Sequence, residues 1–335
     1  MSQKPRFAVA IPAYNRAAVI AETLDAVFAQ ELPPIEVVVV DDGSTDGLSD
    51  AIAPFRDKII FERIENRGAE GARRHAIELT SAPWLALCDS DDCWLPNHLA
   101  NFARAVRTFP DADFLISNFR TFGDSRSSVS DHFARWPREW YTRYAEVAKP
   151  PFLRLGADAL AGFMHCNLCF PSASAFRRSF YDAIGGINPA LSRAPAADAN
   201  LTRRALGRGA VTVLDTTVTV LVRKGEDNLS ADVVKNLVGK SAMLRREIDL
   251  GETPPRFVEA ALQVIDETEV DLLWTLFYEQ RDDEARRLAR SLNGKALDQR
   301  TWLLCWLLNQ PRPLRMLARR LKTTLWKPGS WLGQP

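Results

Sequence analysis

The sequence predicts an α/β fold, with a mostly parallel sheet flanked by helices and a helical C-terminal extension. Three observations carry this prediction. Short apolar runs alternate with helix-period patterns through the first 120 residues. The runs are apolar throughout rather than at every second position, as strands covered on both faces are. Carboxylates and other polar groups gather where the runs end, and ligands bind beyond the carboxyl ends of strands in such sheets.

The elements follow in order. FAVAIP, from Phe7 to Pro12, reads as a buried strand. Asn15 stands in an N-cap position, and Val19, Leu24, Val27 and Phe28 recur behind it at helical spacing. EVVVVDD, from Glu36 to Asp42, is the strongest strand and is almost all valine. Gly43-Ser44-Thr45-Asp46-Gly47 is a turn. Leu48, Ile52 and Phe55 fit a short helix, IIFERI a third strand, and Ala69 to Leu79 a helix. WLALCD, from Trp84 to Asp89, is a fourth strand that ends in carboxylates. Pro96 opens a helix that runs to about Arg107, and FLIS, from Phe114 to Ser117, is a fifth strand. From Phe122 to Met164 the pattern weakens. This polar, then aromatic- and proline-rich stretch (WPREWYTRY, KPPF) reads as an irregular or partly helical insertion over a site. Periodicity returns in PSASAFRRSFYDAIGGIN, in a helix near Asp198 to Leu206, and in TVTVLVR, from Thr217 to Arg223, a late strand. From Ala231 onward the chain reads helical, which divides it into a domain over 1–230 and a helical region over 231–335.

Composition narrows the function classes. The 335 residues suffice for one large or two modest domains. A net charge of +1 argues against nucleic acid as a partner. No apolar run approaches the roughly 18 residues of a membrane span, and MSQKPRFAVAIPAYN lacks the apolar core of a secretory signal. Five cysteines fit a reducing compartment better than a disulfide framework. Cys166-x-x-Cys169 has no second pair to complete a zinc set, so buried structural thiols are expected there.

The last 35 or so residues stand apart. TWLLCWLL is followed by RPLRMLARRLKTTLWKPGSWL, rich in Arg and Lys, without acidic residues after Asp298, and carrying Trp302, Trp306, Trp326 and Trp331. Two readings stand side by side. Residues 299–335 contact a membrane surface of anionic lipid, or they form an amphipathic helix packed on the catalytic domain with the tryptophans in its core.

The chemistry centres on Asp89-Ser90-Asp91-Asp92, three carboxylates in four residues at the end of a buried strand. Such a group repels itself unless a cation lies nearby. Hard oxygen ligands suit Mg²⁺ or Mn²⁺, which bind through one or two carboxylates plus substrate phosphates. A second acidic pair, Asp41 and Asp42, ends another strand.

AIPAYNR, VVVVDDGSTDG, NRGAEGARRHAI, LALCDSDDCWLPNHL, AFRRSFYDAIGGIN and DANLTRRAL, in this order over roughly residues 6 to 230, resemble the family 2 glycosyltransferases. That resemblance implies the GT-A, Rossmann-like fold, with a nucleotide-binding half over 1–120 and an acceptor half over 121–230. It implies an inverting, metal-dependent enzyme that transfers a sugar from a nucleotide sugar, a UDP-hexose or UDP-N-acetylhexosamine. The acceptor is a saccharide or lipid-linked saccharide in cell-surface polysaccharide synthesis. A cytoplasmic location follows, peripheral on the inner face of the membrane where the tail binds lipid.

Residue roles come with the resemblance. Pro12, Ala13, Tyr14 and Arg16 lie in the segment that approaches the nucleotide. Asp42 resembles the carboxylate that accepts a bond from uracil, with Asp41 assisting. Arg73 resembles the arginine near the diphosphate. Asp89 resembles the ribose-side carboxylate, with Ser90 beside it, and Asp91 the metal ligand, with Asp92 sharing the task. Gly185 and Gly186 resemble the glycine pair where backbone approaches the sugar, against a plain turn. Asp198 resembles the general base, against a plain N-cap of its helix.

Two departures accompany the match. Family members often have Glu before that Asp, and here the residue is Ala197. Arg223, Asn228 and Ser230 fit a second pattern that often includes a His, which is missing here. A catalytically weak or inactive nucleotide-sugar-binding subunit of a membrane assembly is therefore the alternative. Gly239-Lys240-Ser241 lacks the upstream glycine of a phosphate-binding loop, and no GxGxxG follows the first strand, which disfavours a dinucleotide oxidoreductase.

Overall fold

The computed structural model describes residues 4–123, 131–166, 168–191, 194, 197–225, 232–292 and 297–320. The chain divides into two compact units, Met1–Asn228 and Leu229–Pro335.

The first unit opens with β1 (Phe7–Ala13), α1 (Ile20–Phe28), β2 (Glu36–Asp41), α2 (Leu48–Ala51), β3 (Ile60–Arg63), α3 (Ala69–Glu78) and β4 (Trp84–Leu87). It continues with β5 (Cys93–Trp94), α4 (His98–Thr108), β6 (Phe114–Gly123), α5 (Arg138–Tyr144), β7 (Ala145–Lys149) and β8 (Phe152–Leu155). It closes with α6 (Ala159–His165), β9 (Ser174–Arg177), α7 (Arg178–Ala183), α8 (Ala197–Gly207) and β10 (Thr212–Lys224).

The strands form one ten-stranded sheet in the order β3-β2-β1-β4-β9-β6-β10-β8-β7, with β5 paired to β10. β3, β2, β1 and β4 are mutually parallel, as are β6 and β10, while β9 runs antiparallel between β4 and β6. The expected mostly parallel sheet flanked by helices is therefore present. All seven residues of β1 are buried. Phe7, Val9 and Ile11 join Val37, Val39, Leu24, Val27 and Phe102 in one core. The alternate residues Ala8, Ala10, Val38 and Val40 are equally buried and face the other way, and α3 packs on β1 and β2. Cover on both sides is why the runs lack a two-residue period.

Four features differ from the sequence reading. The strand expected over Phe114 to Ser117 runs on to Gly123, and the one expected from Thr217 begins at Thr212. These two pair along their whole length, with register shifts between Asp215 and Val220. Polar Asn118, Arg120 and Asp215 interrupt the apolar pattern there without interrupting the ladder. The weak stretch before Met164 holds the antiparallel pair β7 and β8. β7 is largely exposed, so it has no apolar signal to read. Asn15 does not cap α1, which starts at Ile20. It sits at φ 52° in the preceding loop. All five cysteines are free thiols, and Cys88, Cys93, Cys166 and Cys169 are buried, as expected for structural thiols.

The second unit contains α9 (Val233–Asp249), α10 (Val258–Tyr278), α11 (Asp282–Ser291), α12 (Gln299–Leu308) and α13 (Arg312–Arg320). Leu273, Phe277, Ala285, Leu292, Leu304 and Leu308 share its core. α12 has two faces: Thr301, Leu304, Leu307 and Leu308 are buried, whereas Trp302 is 63% exposed and Trp306 46%. The reading that places these tryptophans in a core is thereby corrected. In α13, Arg315 and Arg319 both pair with Asp282 at the start of α11, while Leu314, Met316 and Leu317 are exposed. Trp326 and Trp331 lie outside the described residues. Among the described residues, no helix is long and apolar enough to cross a membrane.

Candidate active site

The loops that follow β1, β2 and β4 meet at one edge of the sheet. The Asn15 N–H donates to Ser44 Oγ (2.9 Å), Thr45 N–H to Asn15 Oδ1 (2.9 Å), and Ala17 N–H to Asp46 Oδ2 (2.8 Å). The loop holding Tyr14 and Arg16 is thus braced on the Gly43–Gly47 turn. Pro12 and Ala13 are buried, while Tyr14 is 47% exposed.

Asp41 and Asp42 build this edge. Asp41 is fully buried; Oδ1 accepts from Ser44 N–H (2.8 Å) and Oδ2 pairs with Arg63 at 3.5 Å. Asp42 accepts from Arg67 N–H (2.6 Å) and Gly68 N–H (2.9 Å), where α3 begins. Negative charge at a helix start is favourable, so Asp42 anchors α3 to the sheet. Each carboxylate oxygen has two lone pairs, which leaves Asp42 capacity for a further donor such as a pyrimidine N–H.

The Asp89–Asp92 turn is held from three sides. Asp89 N–H donates to Ser172 Oγ (2.9 Å), and the Ser172 hydroxyl donates in turn to Asp92 Oδ2. Arg223 N–H donates to Asp92 Oδ1 (2.8 Å), and Arg223 Nε to the Asp91 carbonyl (2.9 Å). Ser90 and Asp92 are buried. Burial, followed by Asp89 and Asp91, pushes the Asp92 carboxyl well above its usual range, against Ser172 and the Arg223 N–H. Both Asp92 oxygens therefore serve the turn itself. Asp91 stays partly accessible, with Arg16 Nε 3.2 Å from its carboxylate. Burial, then Asp89, raises its carboxyl, and Arg16 opposes them.

Among the described residues, no three His, Cys, Asp or Glu side chains converge on a ready-made metal cage. The set fits a cation completed by substrate oxygens, the usual form for divalent ions on nucleotides. Asp91 supplies an accessible carboxylate, and the repulsion between Asp89 and Asp91 is what a cation relieves. Of the two residues expected to share a metal, Asp91 is the more accessible.

Arg73 ties this turn to α3. Its buried guanidinium pairs with Glu70 one turn earlier on α3 and with Asp89. Asp198 sits in the first turn of α8, one residue inside it rather than at the N-cap. Burial raises its carboxyl; Arg73 and the Ala199 N–H oppose this, and Asp89 adds to it. A cavity of about 10 Å³, room for one water, is lined by Glu70, Arg73, Cys169, Pro171, Asp198 and Thr202 among others.

Where the expected His is missing, the chain has Arg223 and Lys224. Burial lowers the Lys224 ammonium, while Asp92 and then Asp91 favour its charge. Asn228 and Ser230 lie outside the described residues. Gly185 and Gly186 have φ of 78° and 59°, and a Cβ on Gly186 would stand 2.6 Å from the Tyr181 ring. Arg204 of α8 donates to the carbonyls of Gly186 (2.7 Å) and Ile184. This turn is accounted for by backbone conformation and by Tyr181, with no ligand needed.

The sequence reading missed Ser172 and Glu70. Ser172 lies in an ordinary small-residue segment and carries no signal. Glu70 had one: a carboxylate three residues before an arginine on a helix.

Comparison with known proteins gives the family and the fold. Residues 8–185, more than half of the chain, match the family described as Glycosyl transferase family 2. The chain is 33% identical over 102 residues to the UDP-Glc:alpha-D-GlcNAc-diphosphoundecaprenol beta-1,3-glucosyltransferase WfaP of Escherichia coli, over 30% of this chain and 41% of that protein. It spans less than two thirds of the length of the curated relatives it matches. Two solved structures share the fold. The mannosyltransferase PcManGT from Pyrobaculum calidifontis, in complex with GDP-Man and Mn²⁺, superposes with a TM-score of 0.58 at 19% identity, over 96% of this chain and 87% of that one. S. aureus TarS 1-349 with UDP-GlcNAc gives 0.57 at 18% identity, over 95% and 88%.

Proposed function

The chain belongs to glycosyl transferase family 2, and from that premise we propose that it transfers a hexose or N-acetylhexosamine from a UDP-sugar to a saccharide or lipid-linked saccharide, with inversion. One observation carries the reading: Arg73 joins Asp89, on the donor side, to the cavity that holds Asp198. A leaving diphosphate and an attacking hydroxyl need a fixed cation and a base within reach of one another, and these residues supply both.

Asp198 takes the proton of the acceptor hydroxyl as it adds to the anomeric carbon. Burial raises its affinity for that proton, which suits a base whose own pKa should approach the working pH. Attack opposite the nucleotide inverts the anomeric centre. Asp42 receives the base, Asp89 the ribose, and Tyr14 and Arg16 line the approach. Asp91 would hold a divalent cation that neutralises the diphosphate, and Arg73 is a second, permanent charge beside it. Asp92 serves by shaping the turn.

UDP as the nucleotide is supported by the UDP-Glc in the name of WfaP and the UDP-GlcNAc bound to TarS. Contact with an anionic membrane surface is supported by exposed Trp302 and Trp306 on α12 beside a basic tail. Turnover of a panel of nucleotide sugars, with Mn²⁺ or Mg²⁺ and with chelator, tests the reading. We expect metal-dependent release of UDP from one donor, lost in Asp91→Asn. Retained turnover in that variant overturns the metal assignment. Binding of UDP with metal but without turnover, unchanged by Asp198→Asn, identifies the inactive subunit instead.

A further inference from the structure

We propose that Glu70, on α3, is a positioning residue that holds the Arg73 guanidinium against the donor turn and limits its pull on Asp198 across the cavity. The inference rests on the assignment of Asp198 as base and Asp89 as donor carboxylate.

Glu70 is 6% exposed and Arg73 3%. A buried charge is costly unless it is paired, and losing one partner leaves the other uncompensated. Arg73 has two carboxylate partners, Glu70 on one terminal nitrogen and Asp89 on the other. Its Nε is buried and without a hydrogen-bond partner. The guanidinium plane is therefore fixed by these two carboxylates, and only one of them, Glu70, stands outside the donor turn. Glu70, Arg73 and Asp198 line the same cavity. Arg73 is also the strongest influence opposing the raised carboxyl of Asp198.

The charge balance gives Glu70 its function. Arg73 pairs with Glu70 and Asp89 and lines the cavity with Asp198, on which Arg203 acts as a second, weaker cation. With Glu70 in place, much of Arg73's charge is answered on α3, and Asp198 keeps its basicity. Without it, Asp89 is the remaining carboxylate partner of Arg73, and more of the guanidinium charge bears on Asp198 and on the donor diphosphate. The base weakens while the anionic leaving group binds more tightly.

The test is Glu70→Gln in the full chain, with UDP affinity in the presence of Mn²⁺ measured by calorimetry and kcat measured with the best donor. We expect UDP to bind about threefold or more tightly and kcat to fall about tenfold or more. A purely structural role would weaken UDP binding and lower kcat together, and that result overturns the proposal. So does a variant unchanged in both. Should Glu70→Gln not fold, Glu70→Asp keeps the charge and shortens its reach; kcat must then fall while UDP affinity holds, and an unchanged kcat overturns the positioning role. Should the wild-type chain turn over no donor, the assignment of function fails. The UDP affinity of Glu70→Gln still decides whether Glu70 restrains Arg73.

Discussion

At the scale of the residue, buried Asp92 and partly buried Asp198 are both carboxylates with raised proton affinity, yet they are set up for different work. Asp198 lines a cavity beside a cation, and a base must be ionised to act. Its carboxyl is raised above the ordinary 3.8 by burial, so kcat should be lost as pH falls through a limb lying above that value. Asp198→Asn should lower kcat by about 10²–10⁴-fold and abolish the limb; a rate profile with the limb intact assigns the base elsewhere. Asp92 has both oxygens committed to Ser172 and Arg223. Ser172→Ala leaves Asp92 Oδ2 and the Asp89 N–H without that partner, at a cost of about 1–3 kcal/mol for each buried group. Thermal unfolding of this variant should shift to lower temperature, and an unshifted melt shows that Ser172 does not hold the turn. Asp89, Asp91 and Asp198 were legible because carboxylates at element ends are visible in one dimension. Ser172 was not, because its value comes from a turn eighty or more residues away.

At the scale of the element, the buried strands were legible and the edge was not. β1, β2 and β4 are apolar in sequence because both faces are covered, whereas β7 pairs through its backbone while its side chains meet solvent. The same contrast divides α12, whose Leu304, Leu307 and Leu308 are buried while Trp302 and Trp306 are exposed. A helix apolar from Trp302 to Leu308 thus has one face in a core and one facing out. Truncating the chain before it would strip three leucines from that core and confound any binding result. Substituting Trp302→Ala and Trp306→Ala together removes only the outer face. Co-sedimentation of the full chain with anionic vesicles should fall at least about tenfold in this double variant, since interfacial binding scales with buried apolar area and charge. Equal binding by variant and wild type rules this face out as the contact.

At the scale of the whole molecule, donor binding and stability are linked, because a ligand that binds only the folded state stabilises it by mass action. The residues assigned to the donor come from loops after three different strands: Arg16 after β1, Asp42 after β2, and Asp89 and Asp91 after β4. No single loop makes the site, so donor occupancy should stabilise the sheet unit as one body rather than one segment of it. UDP at about 100 times its dissociation constant should add about 2.7 kcal/mol. At about 2–4 °C per kcal/mol for a unit of this size, that is a rise in Tm of roughly 5–10 °C. Mn²⁺ should enlarge the shift, because a cation shared between Asp91 and the diphosphate tightens the complex, and chelator should remove that increment. In Asp91→Asn the shift with UDP alone should persist while the Mn²⁺ increment disappears. If UDP and Mn²⁺ shift the melt independently, each by the same amount with or without the other, cation and diphosphate do not meet at Asp91, and the reading of the Asp89–Asp92 turn as the donor centre fails with them.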